Sequence, residues 1–357
     1  MEEKRGSYLT LTDFLREKMA QVDHWFYEED SFPRFFREEN DGSLAASELW
    51  EIEEGDFPSW SGKRPSPGLE EIYLVDGRMR IHARIIVLMK TALLGEVAAG
   101  FAWWQKDRGL SLGFSPQNPP KLERVLGAPE GLFSGEMVSR ELSLGPGFVF
   151  HVWESARASR YPQELEAAQQ AIFSAMQVLE SKVVKDLLSR SSCIIKDGTL
   201  HEGDPEFQPG VGPCGLVKRV EDLHLPHSYL ESLFKLERGE RTPFFSAYLK
   251  KDSPTLRVFC YTRLVERDDN YPWKGLVRLE TLLNKERWTE EKDNLSLFFD
   301  GVVSLLPFLT ADFPAKRLPE NIFPVIALEE HLGQYFSSPP FVQGLIRKTL
   351  GRKEKDE

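Results

Sequence analysis

The chain has 357 residues, room for two average domains or one elaborated one. At 41% hydrophobic and 11% aromatic it is too apolar for a disordered chain and can fill a large buried core. The 45 basic and 56 acidic residues leave a net charge of −11, which excludes a protein that grips nucleic acid through a uniformly basic surface, but not one with a local basic groove. Cys193, Cys214 and Cys260 are odd in number, widely spaced and set among apolar neighbours, with no CxxC, so they read as reduced core residues. The charged first eight residues hold no secretory signal. The most apolar stretch, 85–104, is interrupted by Lys90, Gly95, Glu96 and Gly100. No spanning helix is expected, and the expectation is a soluble, cytoplasmic protein without membrane contact.

In chain order, residues 9–30 carry Leu11, Phe14, Leu15, Met19, Val22, Trp25 and Phe26 at helical spacing, predicting an amphipathic helix. A Gly/Pro/Ser-rich loop over 55–69 separates this region from the rest of the chain. Residues 72–75 predict a short buried strand ending at Asp76-Gly77. Beyond it Met79, Ile81, Ala83 and Ile85 alternate with Arg78, Arg80, His82 and Arg84, the period of a half-buried strand with one basic face. Further strands are expected at 92–103 and 147–153, then a long helix from Pro162 to about Ser189. Strands at 192–197 and 214–220, a helix at 226–238, strands at 244–249, 256–264 and 275–280, and helices at 287–300 and 324–336 complete the pattern. This order predicts an α/β or α+β fold, a mixed sheet covered by helices. The expected division is an N-terminal extension over 1–65, mainly helical, one main domain over 66–340, and a helix end with a charged tail over 341–357.

Four positions stand out for chemistry. Asp76 and Asp197 each close an apolar strand run and precede glycine, a common catalytic placement, although each pair is also an ordinary strand-terminating turn. Glu180 falls at the edge of the apolar stripe Leu165, Ala168, Ile172, Met176, Leu179, Val183 and Leu187, taking ~100° per residue. Pointing toward the sheet, it needs either a cation or a salt bridge to a sheet arginine. His331 lies on the apolar side of the last helix, as a ligand or as a satisfied core residue. Three hard oxygen ligands and one imidazole suit Mg²⁺ or Mn²⁺, and two such ions between carboxylates are the apparatus of in-line phosphodiester hydrolysis. Lys218 is placed to meet a scissile phosphate, or is a solvent-facing strand residue. Arg78, Arg80, His82 and Arg84 on one strand face line a nucleic-acid channel or a solvated face. Trp103-Trp104 offer base stacking, though adjacent strand residues face opposite ways.

Val75-Asp76-Gly77-Arg78, the helix with Glu180, Lys196-Asp197-Gly198-Thr199-Leu200, Gly215-Leu216-Val217-Lys218-Arg219, Gly275-Leu276-Val277-Arg278-Leu279-Glu280 and the closing Phe-Pro…His resemble, in that order and over about residues 70–336, the NurA nucleases. The resemblance implies an RNase H-like core, a homodimer and dependence on Mn²⁺, with Mg²⁺ the other option and two ions expected. It implies 5′ to 3′ degradation of DNA, endonucleolytic cutting of single strands, and docking on a HerA-type hexameric DNA-translocating ATPase during end resection at double-strand breaks. Carried over, the metal ligands are Asp76, Glu180, Asp197 and His331; Lys218 as a catalytic residue and Arg78, Arg80, Arg84 and Arg219 as DNA contacts fit that reading. Phe323 departs from the tyrosine usual in that family, which puts a hydrogen-bonding role there in doubt. The alternative is a non-catalytic NurA-like subunit that binds and regulates the ATPase. An RNA-cleaving enzyme of the same metal logic is separated from a DNA nuclease by the resemblance alone.

Overall fold

A computed structural model describes residues 10–18, 20–26, 50–51, 69–133, 140–155, 163–190, 192–218, 225, 229–249, 253–311 and 321–350. Its first half runs α1 (Leu11–Glu17), β1 (Gln21–Trp25), β2 (Trp50–Glu51), β3 (Glu71–Val87), β4 (Lys90–Gln105), β5 (Gly109–Leu112), β6 (Lys121–Pro129), β7 (Glu141–Gly145), β8 (Phe148–Ser155) and α2 (Gln163–Leu187). The second runs β9 (Cys193–Asp197), β10 (Cys214–Val217), α3 (Leu230–Phe234), β11 (Phe245–Tyr248), β12 (Thr255–Arg263), β13 (Leu276–Asn284), α4 (Trp288–Leu309), α5 (Phe323–Gly333) and α6 (Pro339–Leu350).

Among the described residues thirteen strands form one mixed sheet, ordered β2-β11-β12-β13-β10-β9-β3-β4-β6-β8-β7, with β1 on β3 and β5 on β4. The pairs β3–β9, β9–β10 and β6–β8 are parallel and the rest antiparallel. Helices cover both faces, making an α/β fold. On one face α2 lays Ala168, Ile172, Ala175, Leu179 and Val183 over Val75, Val97, Ala99, Val125 and Ile194. On the other, α4 covers Ile72, Leu74, Ile195, Leu216 and Leu279. There α5 covers Ala98 and Ala102, and α1 and α6 cover Ala83, Ile85 and Leu94. The cysteines are free and buried. Among the described residues no helix is long and apolar enough to cross a membrane.

Several expectations are corrected. The helix over 9–30 stops at Glu17, where the Leu11, Phe14, Leu15 burial ends, and residues 21–25 become β1, paired with β3. The described parts of 1–65 include two strands that join the main sheet, so they are not a separate helical unit. Asp76-Gly77 ends no strand, because β3 passes through it in unbroken register with β4. The helix expected to end at 336 stops at Gly333, and residues 339–350 form a helix of their own. Residues 27–49, 52–68 and 351–357 lie outside the described residues.

Candidate metal centre

The parallel register brings two strand-borne carboxylates together. Val75 stands opposite Lys196, so the next step along both strands sets Asp76 beside Asp197. Asp76 pairs with Gly100, and a Cβ on Gly100 would meet Phe114 and Leu332 of α5. Cross-strand partners share a face, so Asp76 points to the α5 side. Asp197 is followed by a true turn, with Gly198 at φ +85° and its N–H donating to Leu216 O at 2.9 Å. The third carboxylate comes from α5, which Pro324 opens. Leu328 and Leu332 seat this helix on Ala98 and Ala102, and Glu329 is the next residue after Leu328. One carboxylate oxygen from each of Asp76, Asp197 and Glu329 lies within 4.8 Å of the others.

Lys218, just past β10, donates to Asp197 Oδ2 at 2.7 Å and to Asn321 Oδ1 at 2.9 Å. Asp76 Oδ1 accepts from its neighbour's amide, Gly77 N, at 2.8 Å. Asp76 Oδ2 and Asp197 Oδ1 are buried and have no hydrogen-bond partner among the described residues. Burial first, then Asp197, Glu329 and Glu180, raises the Asp76 carboxyl well above its usual range, against the pull of Lys218. Burial disfavours the Lys218 ammonium, but Asp197 and Asp76 outweigh it and hold its pKa above the ordinary value. Orphaned buried carboxylate oxygens are costly unless a cation meets them. A hard divalent ion fits this all-oxygen donor set.

Glu180 stands elsewhere. A Cβ on Gly77 would lie 2.5 Å from Glu180 Oε1 and 2.7 Å from Met176 Cγ, so Glu180 sits on the α2 side of β3, across the sheet from the Asp76 carboxylate. Its cation is built in: Lys196 Nζ is 3.5 Å from Glu180 Oε2 and 2.9 Å from Asp204 Oδ2. Ser181 Oγ and His201 N also donate to Asp204, at 2.6 and 2.8 Å. Burial raises the Glu180 carboxyl to about 7, opposed by Lys196 and reinforced by Asp204 and Asp197. The structure thus gives Glu180 a salt bridge to the sheet in place of a metal, with Lys196 where an arginine was expected.

The other expected site residues are also relocated. His331 is exposed, its Nδ1 2.8 Å from Ala327 O, and it takes no part in the cluster. Helix residues two apart point about 200° away from each other, so with Glu329 turned to the sheet His331 cannot be. Arg78 Nη1 donates to Glu329 O at 2.6 Å, and Arg80 reaches Gly333 O and Ser337 O at 3.4 Å. His82 is buried against Glu96 at 3.1 Å. The register slips between Ile81 and Ala83, so Arg80 (opposite Glu96) and Ala83 (opposite Leu94) share a face. Arg84 therefore faces away from Arg80, where it pairs with Asp23 of β1. The four basic residues do not line one channel. Trp103 stacks on Tyr73, with centroids 5.8 Å apart, and Trp104 packs against the α4-side core. Arg219 lies outside the described residues. Sequence reasoning misses Glu329: the apolar positions Val325, Leu328 and Leu332 leave it and His331 on opposite flanks of the helix, and sequence does not say which flank meets β3.

No protein-family model matches the chain, and no curated protein does. Among solved structures it is similar to the crystal structure of the NurA nuclease from Sulfolobus solfataricus, at 11% identity and a TM-score of 0.42, covering 81% of this chain and 88% of that one. The overlap is loose, and any functional reading rests on the side chains of the carboxylate cluster.

Proposed function

We propose that this chain is a metal-dependent nuclease whose ion or ions are held by Asp76, Asp197 and Glu329. The observation that carries the reading is the pair of buried oxygens, Asp76 Oδ2 and Asp197 Oδ1, that have no hydrogen-bond partner among the described residues, inside a cluster of three carboxylates. A divalent ion bound there supplies Lewis-acid polarisation of a phosphodiester and a hydroxide nucleophile at neutral pH. Lys218, kept charged by Asp197 and Asp76, stands beside the cluster and can orient a phosphate oxygen. With His331 turned away, the donors are all oxygen, which suits Mg²⁺ as well as Mn²⁺.

The finer reading draws on the sequence resemblance: an RNase H-like core, DNA as substrate with 5′ to 3′ and single-strand cleavage, a homodimer, and work with a HerA-type ATPase in end resection. The test is hydrolysis of labelled single-stranded DNA, with an RNA of the same sequence in parallel, by the full chain in Mn²⁺ or Mg²⁺. DNA cleavage that EDTA and Asp197→Asn both abolish supports the reading. Equal inertness of wild type and Asp197→Asn sinks it. A second reading, the non-catalytic subunit, draws support from the internal engagement of Arg78, Arg80 and Arg84, which leaves fewer basic side chains for DNA.

A further inference from the structure

We infer that Arg78, Arg80 and Glu96 form a latch that fixes α5 on the sheet and so sets where the Glu329 carboxylate stands; the inference rests on the proposed metal site. Asp76 and Arg78 are two apart on β3 and share a face. The strand that carries one acid of the cluster therefore holds the backbone of another, through the 2.6 Å bond from Arg78 Nη1 to the carbonyl of Glu329 itself.

Arg80 reaches the carbonyl of Gly333, the last residue of α5, and packs its guanidinium over the Phe336 ring at 5.2 Å. A cation at a helix C-terminus also meets the negative end of the helix dipole. The chain leaving α5 is held next: Ser337 donates to Glu96 from N at 2.7 Å and from Oγ at 2.8 Å. Glu96 is fully buried and is fixed in turn by His82 at 3.1 Å and Arg124 at 3.0 Å. Space is shaped to match, because a Cβ on Gly333 would lie 2.6 Å from Arg78 Nη1 and 2.9 Å from its Cζ. Groups that hydrogen-bond a metal ligand typically change metal affinity about ten- to a hundredfold when lost, and Arg78 holds the backbone of one such ligand.

The experiment compares wild type, Arg78→Gln, Arg78→Lys and Gly333→Ala by Mn²⁺ calorimetry and by steady-state cleavage of single-stranded DNA. The Gly333→Ala methyl displaces the end of a flexible side chain, so it tests the latch should Arg78→Gln fail to fold. The expected result is Mn²⁺ affinity about tenfold or more weaker in Arg78→Gln and Gly333→Ala, with kcat lowered, KM for DNA unchanged, and recovery to within a few-fold in Arg78→Lys. A raised KM with unchanged Mn²⁺ affinity makes Arg78 a DNA contact and overturns the inference alone. Absence of Mn²⁺ binding by wild type overturns the site reading and the inference with it.

Discussion

Two acidic clusters lie back to back across β3 and β9, and they are finished differently. On the α2 side, Glu180 and Asp204 enclose Lys196, and Ser181 and the His201 amide complete the Asp204 carboxylate. On the α5 side, Asp76, Asp197 and Glu329 crowd together, Lys218 reaches Asp197, and two oxygens have no partner among the described residues. The chemistry changes between consecutive residues, at Lys196/Asp197 on one strand and at Asp76/Gly77 on the other. A buried acid cluster that carries its own cation is a structural network. The cluster with two oxygens unpartnered among the described residues is the one proposed to hold a metal.

The comparison can be broken from either side. The largest effect is expected from Lys196→Met, which leaves Glu180 and Asp204 buried without their cation. Losing one partner of a buried pair costs about 3–5 kcal/mol, measurable as a drop in urea unfolding free energy. Next is pH. The Glu180 carboxyl lies near 7 in the fold against 4.5 when unfolded, so the folded state binds the extra proton between those values. Its contribution is fully present below about 4.5 and is lost as pH rises through about 7, up to about 3 kcal/mol at 1.36 kcal/mol per unit. In EDTA, unfolding free energy should fall over that window, and Glu180→Gln should flatten the fall while a residual slope of the same sign stays from Asp76.

Asp76→Asn should behave in the opposite sense to Lys196→Met. Cleavage falls at least about a hundredfold, about 2.7 kcal/mol, while metal-free stability is unchanged or higher because a repelled buried charge is removed. A Tm series in EDTA beside a rate assay checks both halves. The smallest effect is expected from Gly77→Ala, whose methyl would collide with Glu180 Oε1 and Met176. Overpacking of this kind costs about 1–3 kcal/mol and should disturb the α2 side while leaving Mn²⁺ binding close to wild type.

Much of this was legible in the residues. Apolar runs marked β9, β12 and β13, and the stripe from Leu165 to Leu187 marked α2, since burial on one face imposes the period. The Asp-Gly step after an apolar run singled out Asp76 and Asp197, which the register brings side by side, although only Asp197 ends its strand. The features that stayed hidden depend on where elements lie relative to one another. β1 exists because β3 offers it an edge. The β3–β4 hairpin turns through Leu88 and Met89, both at positive φ, without the usual Asn or Gly. The bulge at His82 splits an apparently continuous basic face. Choosing Glu329 over His331 needed the placement of α5, and giving Glu180 its cation needed α2 laid against β9.

The most direct measurement is calorimetric titration of Mn²⁺ into the full chain and into Asp197→Asn and Glu180→Gln, each first confirmed as folded. Wild type is expected to bind, Asp197→Asn to lose about a hundredfold in affinity, and Glu180→Gln to bind near wild type. Affinity unchanged in Asp197→Asn, or abolished in Glu180→Gln, would contradict the proposed metal site.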